Sequence, residues 1–217
     1  MNPDLSKKLA DGLQVQGQTI GLKEQQQLIQ FVELMVKWNK VYNLTSIRRA
    51  EEMITLHLLD SLVMLPFFTQ QDNKITTILD VGTGGGIPGI PLALCLPEID
   101  FVLLDARGKK VRFIQTAIAQ LGLKNVTAVH ARVEDYQRAE EEKFACIISR
   151  AFASLEDMLN YCQHLSAKQG RFFAMKGQIP EEEIAQLPEG FRIEAIDELK
   201  VAGLNAQRHL IQIAFSE

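Results

Sequence analysis

Leu28, Phe31, Val32, Met35 and Val36 recur at three- and four-residue intervals inside a Gln-rich stretch with no proline. That spacing lays one apolar stripe along an α-helix. The same reasoning predicts a second helix from Ala50 to Leu65. Between the two, Val41-Tyr-Asn-Leu-Thr-Ser46 offers the Asn, Thr and Ser of a loop and of a helix N-cap. The polar run Gln70 to Lys74 marks the junction between an N-terminal helical extension, 1–74, and a main domain, 75–217.

From Ile75 the period changes. The runs ITTILDV (75–81), DFVLLD (100–105), NVTAVH (125–130), FACIIS (144–149) and GRFFAM (170–175) are β-rich and alternate with helical segments, which predicts parallel strands joined by helical crossovers. Phe191 to Val201 and Arg208 to Phe215 are also strand-like, but only Ala202 to Gln207 separates them. So short a link cannot cross over, so these two strands are expected to be antiparallel. The expected fold is α/β: a Rossmann-like sheet, mostly parallel with an antiparallel last strand, plus the helical extension.

Composition adds bounds. At 217 residues, with 47% hydrophobic and 23% charged, the chain suits one compact domain with a modest extension. Its first residues lack the apolar stretch of a secretory signal, and no run approaches eighteen uninterrupted apolar residues, so a soluble cytoplasmic protein is expected. Cys95, Cys146 and Cys162 fall in apolar patterns without paired spacing and read as reduced core residues. Cys162 and His164 are alternate residues on a predicted helix and point apart, so no metal site is expected. A net charge of −4 argues against a general nucleic-acid binder, so any RNA contact must be local.

Candidate chemistry starts at Ile78-Leu-Asp-Val-Gly82-Thr-Gly84-Gly-Gly86-Ile-Pro-Gly89, a strand running into a glycine-rich turn and then a helix. Such a turn lets backbone approach a ligand closely. Read from Gly84 it also satisfies G-x-G-x-x-G, so a dinucleotide must be weighed against S-adenosylmethionine. Asp80, just before the first glycine, suits a cationic ligand and would repel a pyrophosphate. The antiparallel end of the sheet and the lack of length for a separate substrate domain also favour S-adenosylmethionine. Asp105 closes the second strand, where an acid accepts hydrogen bonds from ribose hydroxyls; otherwise it merely stabilises the start of the next helix. Arg132-Val-Glu134 follows the third strand, where an adenine ring would lie, unless it is a plain polar loop.

The acceptor decides the remaining residues. The chain lacks the active-site cysteine that a pyrimidine carbon would want and the Asp/Asn-Pro-Pro-aromatic turn that goes with an exocyclic adenine amine. After the fourth strand stands Ser149-Arg150-Ala151-Phe152, a cation and an aromatic ring. Arginine's planar fork suits phosphate or purine recognition. Arg132 after strand three, Lys176 after strand five and Arg208 opening the last strand are further cations, and Arg132, Arg150 and Lys176 are expected to line one rim at the strand ends. Methylating guanine N7 uses an in-plane lone pair and releases no proton, so such a site needs no general base. A methyltransferase of a small molecule or protein, and a non-catalytic S-adenosylmethionine-binding regulator, are the alternatives.

In order along the chain, Asn43-Leu-Thr45, His57 with Asp60-Ser61, Asp80 through Pro91, Arg132-Val-Glu134, Ser149-Arg-Ala151, Lys176-Gly177 and Arg208-His-Leu210 make it resemble the bacterial glucose-inhibited division protein B family. The resemblance implies a class I methyltransferase that uses S-adenosylmethionine to methylate N7 of a guanine in 16S ribosomal RNA. It also implies a monomer, while the acidic balance of the chain suggests that the RNA is met as a shaped surface within the small ribosomal subunit. Carried over by position, Gly82, Ile87, Val133, Glu134 and Arg150 resemble the family's cofactor contacts, to which Asp80, Gly84, Gly86, Asp105 and Ala106 are added. Arg132, Lys176 and Arg208 resemble active-site or RNA cations, and Arg150 serves both ligands. Two positions depart: Asp105-Ala106 stands where the family often has Asp-Ser, and Lys109-Lys110 where a Lys-Arg pair is common. His57 and Asp60, three apart on one predicted helix, are expected to bond each other or to cap the neighbouring loop.

Overall fold

The protein is described by a computed structural model covering residues 3–69, 75–150 and 154–216. The expected junction at Gln70 to Lys74, like Ala151 and Phe152, lies outside these residues. The N-terminal helices are α1 (Pro3–Val15) and α2 (Leu22–Tyr42), the latter ending at Asn43 in the left-handed conformation. The second predicted helix is there but not uniform. It runs as α3 (Ala50–Met53), a π-helical segment over Ile54–Leu59, α4 (Asp60–Leu62) and, after a turn, α5 (Leu65–Thr69).

The sheet holds β1 (Thr77–Val81), β2 (Asp100–Asp105), β3 (Val126–His130), β4 (Phe144–Arg150), β5 (Ser166–Lys176), β6 (Phe191–Glu198) and β7 (His209–Phe215). Helices α6 (Gly89–Cys95), α7 (Gly108–Leu121), α8 (Leu155–Cys162) and α9 (Glu181–Ala185) connect them. Strand order is β3-β2-β1-β4-β5-β7-β6. The first five are parallel, and β7 runs antiparallel to both β5 and β6. The sheet is thus the expected mostly parallel Rossmann-like one, with β7 reversed between two strands of the other sense.

Alternation along the strands builds the two faces. Ile78, Phe101, Leu103, Cys146, Ile148 and Phe173 turn toward α2, α6, α7 and the helices of residues 50–69. Leu79, Val81, Val102, Leu104, Ile147 and Phe172 turn toward α8. The N-terminal helices therefore share a core with the first face: Leu28, Phe31, Met35, Met53, Ile54 and Leu58 are buried in the same cluster as the sheet. The stretch Ala50–Thr69 is apolar and long enough to cross a membrane by length and composition, yet most of it is buried in this core.

Chain order fixes where a ligand crevice opens. From β1 the chain builds outward to β2 and β3 on one side, then returns to lay β4 and β5 on the other. The loops leaving β1 and β4 thus diverge, and open α/β sheets bind ligands at such a switch point, outside the carboxyl ends of the strands.

Candidate active site

The glycine turn after β1 is held from beneath by Asp80. Its Oδ2 accepts hydrogen bonds from Thr83 Oγ1 at 2.6 Å and from the Gly89 amide at 2.9 Å. The side chain is fully buried, and burial pushes its carboxyl up to about 7, against the pull of those two donors. A side chain at Gly89 would run into Asp80 and Leu103. Asp80 lines neither cavity described below. The sequence suggested a counter-charge for a cationic ligand; in the structure Oδ2 staples the loop to the start of α6, and Oδ1 is buried without a hydrogen-bond partner.

Asp105 holds the loop from the other side. Its Oδ2 accepts from the Gly84 amide at 2.9 Å and its Oδ1 from the Arg107 amide at 2.8 Å, with Lys110 Nζ at 3.8 Å. The acid bonds the backbone just before α7 and also lines a cavity. A carboxylate has about four acceptor positions, so capacity remains for hydroxyl donors.

Two cavities meet at Gly82. The smaller, about 210 Å³, is a slot over the ends of β2 and β3, with Val81, Leu104, Ala106 and Val133 as apolar walls and Asp105, Arg132 and Glu134 as polar ones. The larger, about 630 Å³, is a cleft over β4, β5 and the segment before β7, lined by Gly84, Ile87, Arg150, Lys176 and Arg208 among others. Gly86 lines neither; at φ 78° it forms the turn under Ile90. Arg132 therefore does not share a rim with Arg150 and Lys176. It follows β3, three positions from β4 in the strand order, and so stands on the slot side of β1.

The cationic side of the cleft is organised by a residue whose role the sequence left open. Asp60, 2% exposed, accepts from Arg150 Nη1 on Oδ2 at 3.0 Å and from Arg208 Nε on Oδ1 at 2.8 Å. Arg150 Nη1 also donates to the Leu56 carbonyl at 2.9 Å. That contact leads to the π-helical segment, a local widening of the helix that recurs at functional sites. His57 and Asp60 do not bond each other. His57 Nδ1 donates to the Leu56 carbonyl at 2.9 Å, so in the neutral ring Nε2 accepts from Thr45 Oγ1 at 3.1 Å. Burial first, and then the Arg150 charge, holds this imidazole down at about 4. Lys176 pairs with Glu183 at 2.8 Å. A signal for Asp60 did exist: one carboxylate inside the apolar run Met53-Ile-Thr-Leu-His-Leu-Leu-Asp60-Ser-Leu-Val-Met64 needs a partner if it is buried.

S-adenosylmethionine fits these residues. Gly82 and Gly84 sit at φ 65° and 63°, where side chains are strained, and a Cβ on Gly84 would stand 3.5 Å from Lys110 Nζ, in the space facing the cleft. The slot joins apolar walls for a ring to carboxylates for hydroxyl and amino donors.

Comparison with known proteins agrees. The family model of rRNA small subunit methyltransferase G matches residues 24–211. Ribosomal RNA small subunit methyltransferase G of Shewanella amazonensis is 48% identical over 96% of this chain and 98% of its own, and that of Idiomarina loihiensis is 49% identical over the same shares. Among solved structures, an S-adenosylmethionine-dependent methyltransferase from Aquifex aeolicus shares the fold, with TM-score 0.55 and 17% identity over 75% of this chain and 93% of that one. On the family match and on relatives near half identity over almost the whole length, the chain belongs to the rRNA small subunit methyltransferase G family.

Proposed function

We propose that this enzyme methylates N7 of a guanine in 16S ribosomal RNA, in the cytoplasm, as a monomer acting on RNA within the small ribosomal subunit. The relatives' names point to small-subunit RNA. The observation that carries the reading is that Arg150, Arg208 and Lys176 line one cleft together with the glycine loop. Bound S-adenosylmethionine supplies an electrophilic methyl group.

The chain's own residues bind, orient and balance charge. Asp105 and Glu134 take the polar edges of the nucleoside in the slot, with Val133 and Ala106 against its ring. Gly82, Gly84 and Ile87 let the chain lie close where slot meets cleft. Arg150 and Arg208, both bonded to Asp60, present guanidinium groups to guanine O6 or to phosphate, while Lys176 supplies a further cation. Positioning of this kind supplies much of the acceleration when a lone pair attacks in line. Transfer to N7 releases no proton, and the titratable groups of the cleft match that need: His57 is bonded at both nitrogens and stays neutral, and Asp60 is bonded to two arginines.

The test is mapping of N7-methylguanine in 16S ribosomal RNA from a strain lacking the gene, with and without the gene restored. One N7-methylguanine lost on deletion and regained on restoration supports the reading. Unchanged ribosomal RNA, or a methyl group at another atom, overturns it.

A further inference from the structure

The net charge of −4 conceals a segregation. Residues 34–50 and 106–133 together hold ten of the 23 basic residues and none of the 27 acidic ones. The fold brings these two segments side by side. Helices α2 and α7 pack antiparallel, with Trp38 against Phe113 at 5.7 Å and Gln27 Nε2 donating to the Leu121 carbonyl. Tyr42 is one turn beyond Trp38, its ring tilted against the indole at 5.0 Å, and Lys109 is one turn before Phe113, so the antiparallel packing carries both toward the same end of the helix pair. Arg112 lies along the same groove as Trp38.

Lys109, Arg112 and Arg48 are exposed, and Tyr42 is 41% exposed. Among the described residues, Lys109 and Arg112 have no carboxylate partner. The strip runs into the site, because Lys110 from α7 and Thr45, Ser46 and Ile47 from the loop after α2 line the cleft.

We propose that this α2–α7 face is a second RNA-contact surface. It takes the sugar–phosphate backbone of the strand flanking the target nucleotide, with Lys109, Arg112 and Arg48 on phosphates and Tyr42 available to an unpaired base. The proposal rests on the reading that RNA is the substrate. Charge complementarity selects the occupant: a polyanion gains from a surface of one sign, and an aromatic ring among cations is the pattern that single-stranded nucleic acid uses. It also accounts for how an acidic protein holds RNA, since repulsion from the acidic remainder leaves one face and one orientation for approach.

The experiment compares wild type with the exposed double variant Lys109→Glu/Arg112→Glu, and with its milder form Lys109→Gln/Arg112→Gln. Binding of small subunits from a strain lacking the modification is measured across a salt series, beside S-adenosylmethionine affinity and single-turnover methyl transfer at saturating subunit. The expected result is at least a tenfold loss of subunit affinity in the charge-reversed variant and a smaller loss in the neutral one. The slope of log affinity on log salt should fall by about 0.7 to 0.9 for each phosphate contact removed. Cofactor affinity and the saturated transfer rate should stay within twofold. Affinity and salt slope equal to wild type, in an enzyme that methylates the subunit, overturn the surface and leave the RNA reading standing. A wild-type enzyme that transfers no methyl group to ribosomal RNA overturns the RNA reading, and this surface with it.

Discussion

The two halves of the site are built in different ways. On the slot side, the glycine turn, Asp80 and Asp105 lie within about one βαβ unit, and backbone amides do much of the bonding. On the cleft side the key contacts join side chains far apart in the chain: Asp60 to Arg150, 90 residues away, and Asp60 to Arg208, 148 away. A half made of local backbone geometry fails through steric intrusion. A half made of long-range ion pairs fails through charge imbalance, and the two failures should separate in experiment.

The largest effect is expected from Gly82→Val or Gly84→Val. A β-branched side chain at φ near 65° strains the turn and intrudes, at Gly82 where slot meets cleft and at Gly84 into the cleft. Calorimetry should register no S-adenosylmethionine binding by folded protein, and wild-type affinity would contradict the slot assignment.

Asp60→Ala attacks the other half. It leaves two guanidinium groups, each about a quarter exposed, without their shared carboxylate. Breaking a buried pair costs up to about 3 to 5 kcal/mol, and partial exposure of the arginines places this case at or below about 3. Transfer to RNA should drop by about 100-fold while cofactor affinity changes only a few-fold. Thermal melting and single-turnover assays check the pair of numbers. Equal loss of cofactor binding would mean that the halves are not independent.

Asp105→Ala sharpens the comparison from within the slot. It removes charge-assisted bonds to the Gly84 amide as well as those offered to a nucleoside, so cofactor affinity should weaken by roughly 2 to 4 kcal/mol. Adenosylhomocysteine, which lacks the sulfonium charge, should weaken by a similar amount. If only the cationic cofactor weakens, Asp105 acts through charge and not through the nucleoside hydroxyls.

How much of this was legible in the sequence follows the same division. The strands, the antiparallel end and the glycine turn could be read because each is encoded in contiguous residues: alternation, a short link, a strand running into glycines. The stapling role of Asp80 could not, because it depends on Gly89 letting the start of α6 approach within hydrogen-bond distance. Nor could the separation of Arg132 from Arg150, which is set by strand order and not by the spacing of residues. Asp60 was visible as an acid in an apolar run, but its partners come from β4 and from just before β7. His57 sat in the same helical pattern, and its partner, Thr45, lies across the intervening loop.

The effect on function is smallest for His57, whose consequence is for stability and pH. Its folded value of about 4 lies below the ordinary 6.5, so the stability linked to its neutral form is present above pH 6.5 and lost as pH falls toward 4. The difference in unfolding free energy between wild type and His57→Gln should therefore shrink by up to about 3 kcal/mol across that window. Denaturant titrations at several pH values measure it. A difference independent of pH would mean that the imidazole takes up a proton as easily folded as unfolded.

The most direct test of the divided site is Arg208→Ala, read as S-adenosylmethionine affinity beside single-turnover transfer to small subunits from a strain lacking the modification. Arg208 borders the cleft and not the slot. The account predicts cofactor affinity within about twofold of wild type and transfer slowed by about 100-fold, as expected for removing one positioned charge-assisted contact from the transition state. Cofactor loss as severe as in Gly82→Val, or methyl transfer at the wild-type rate, would contradict it.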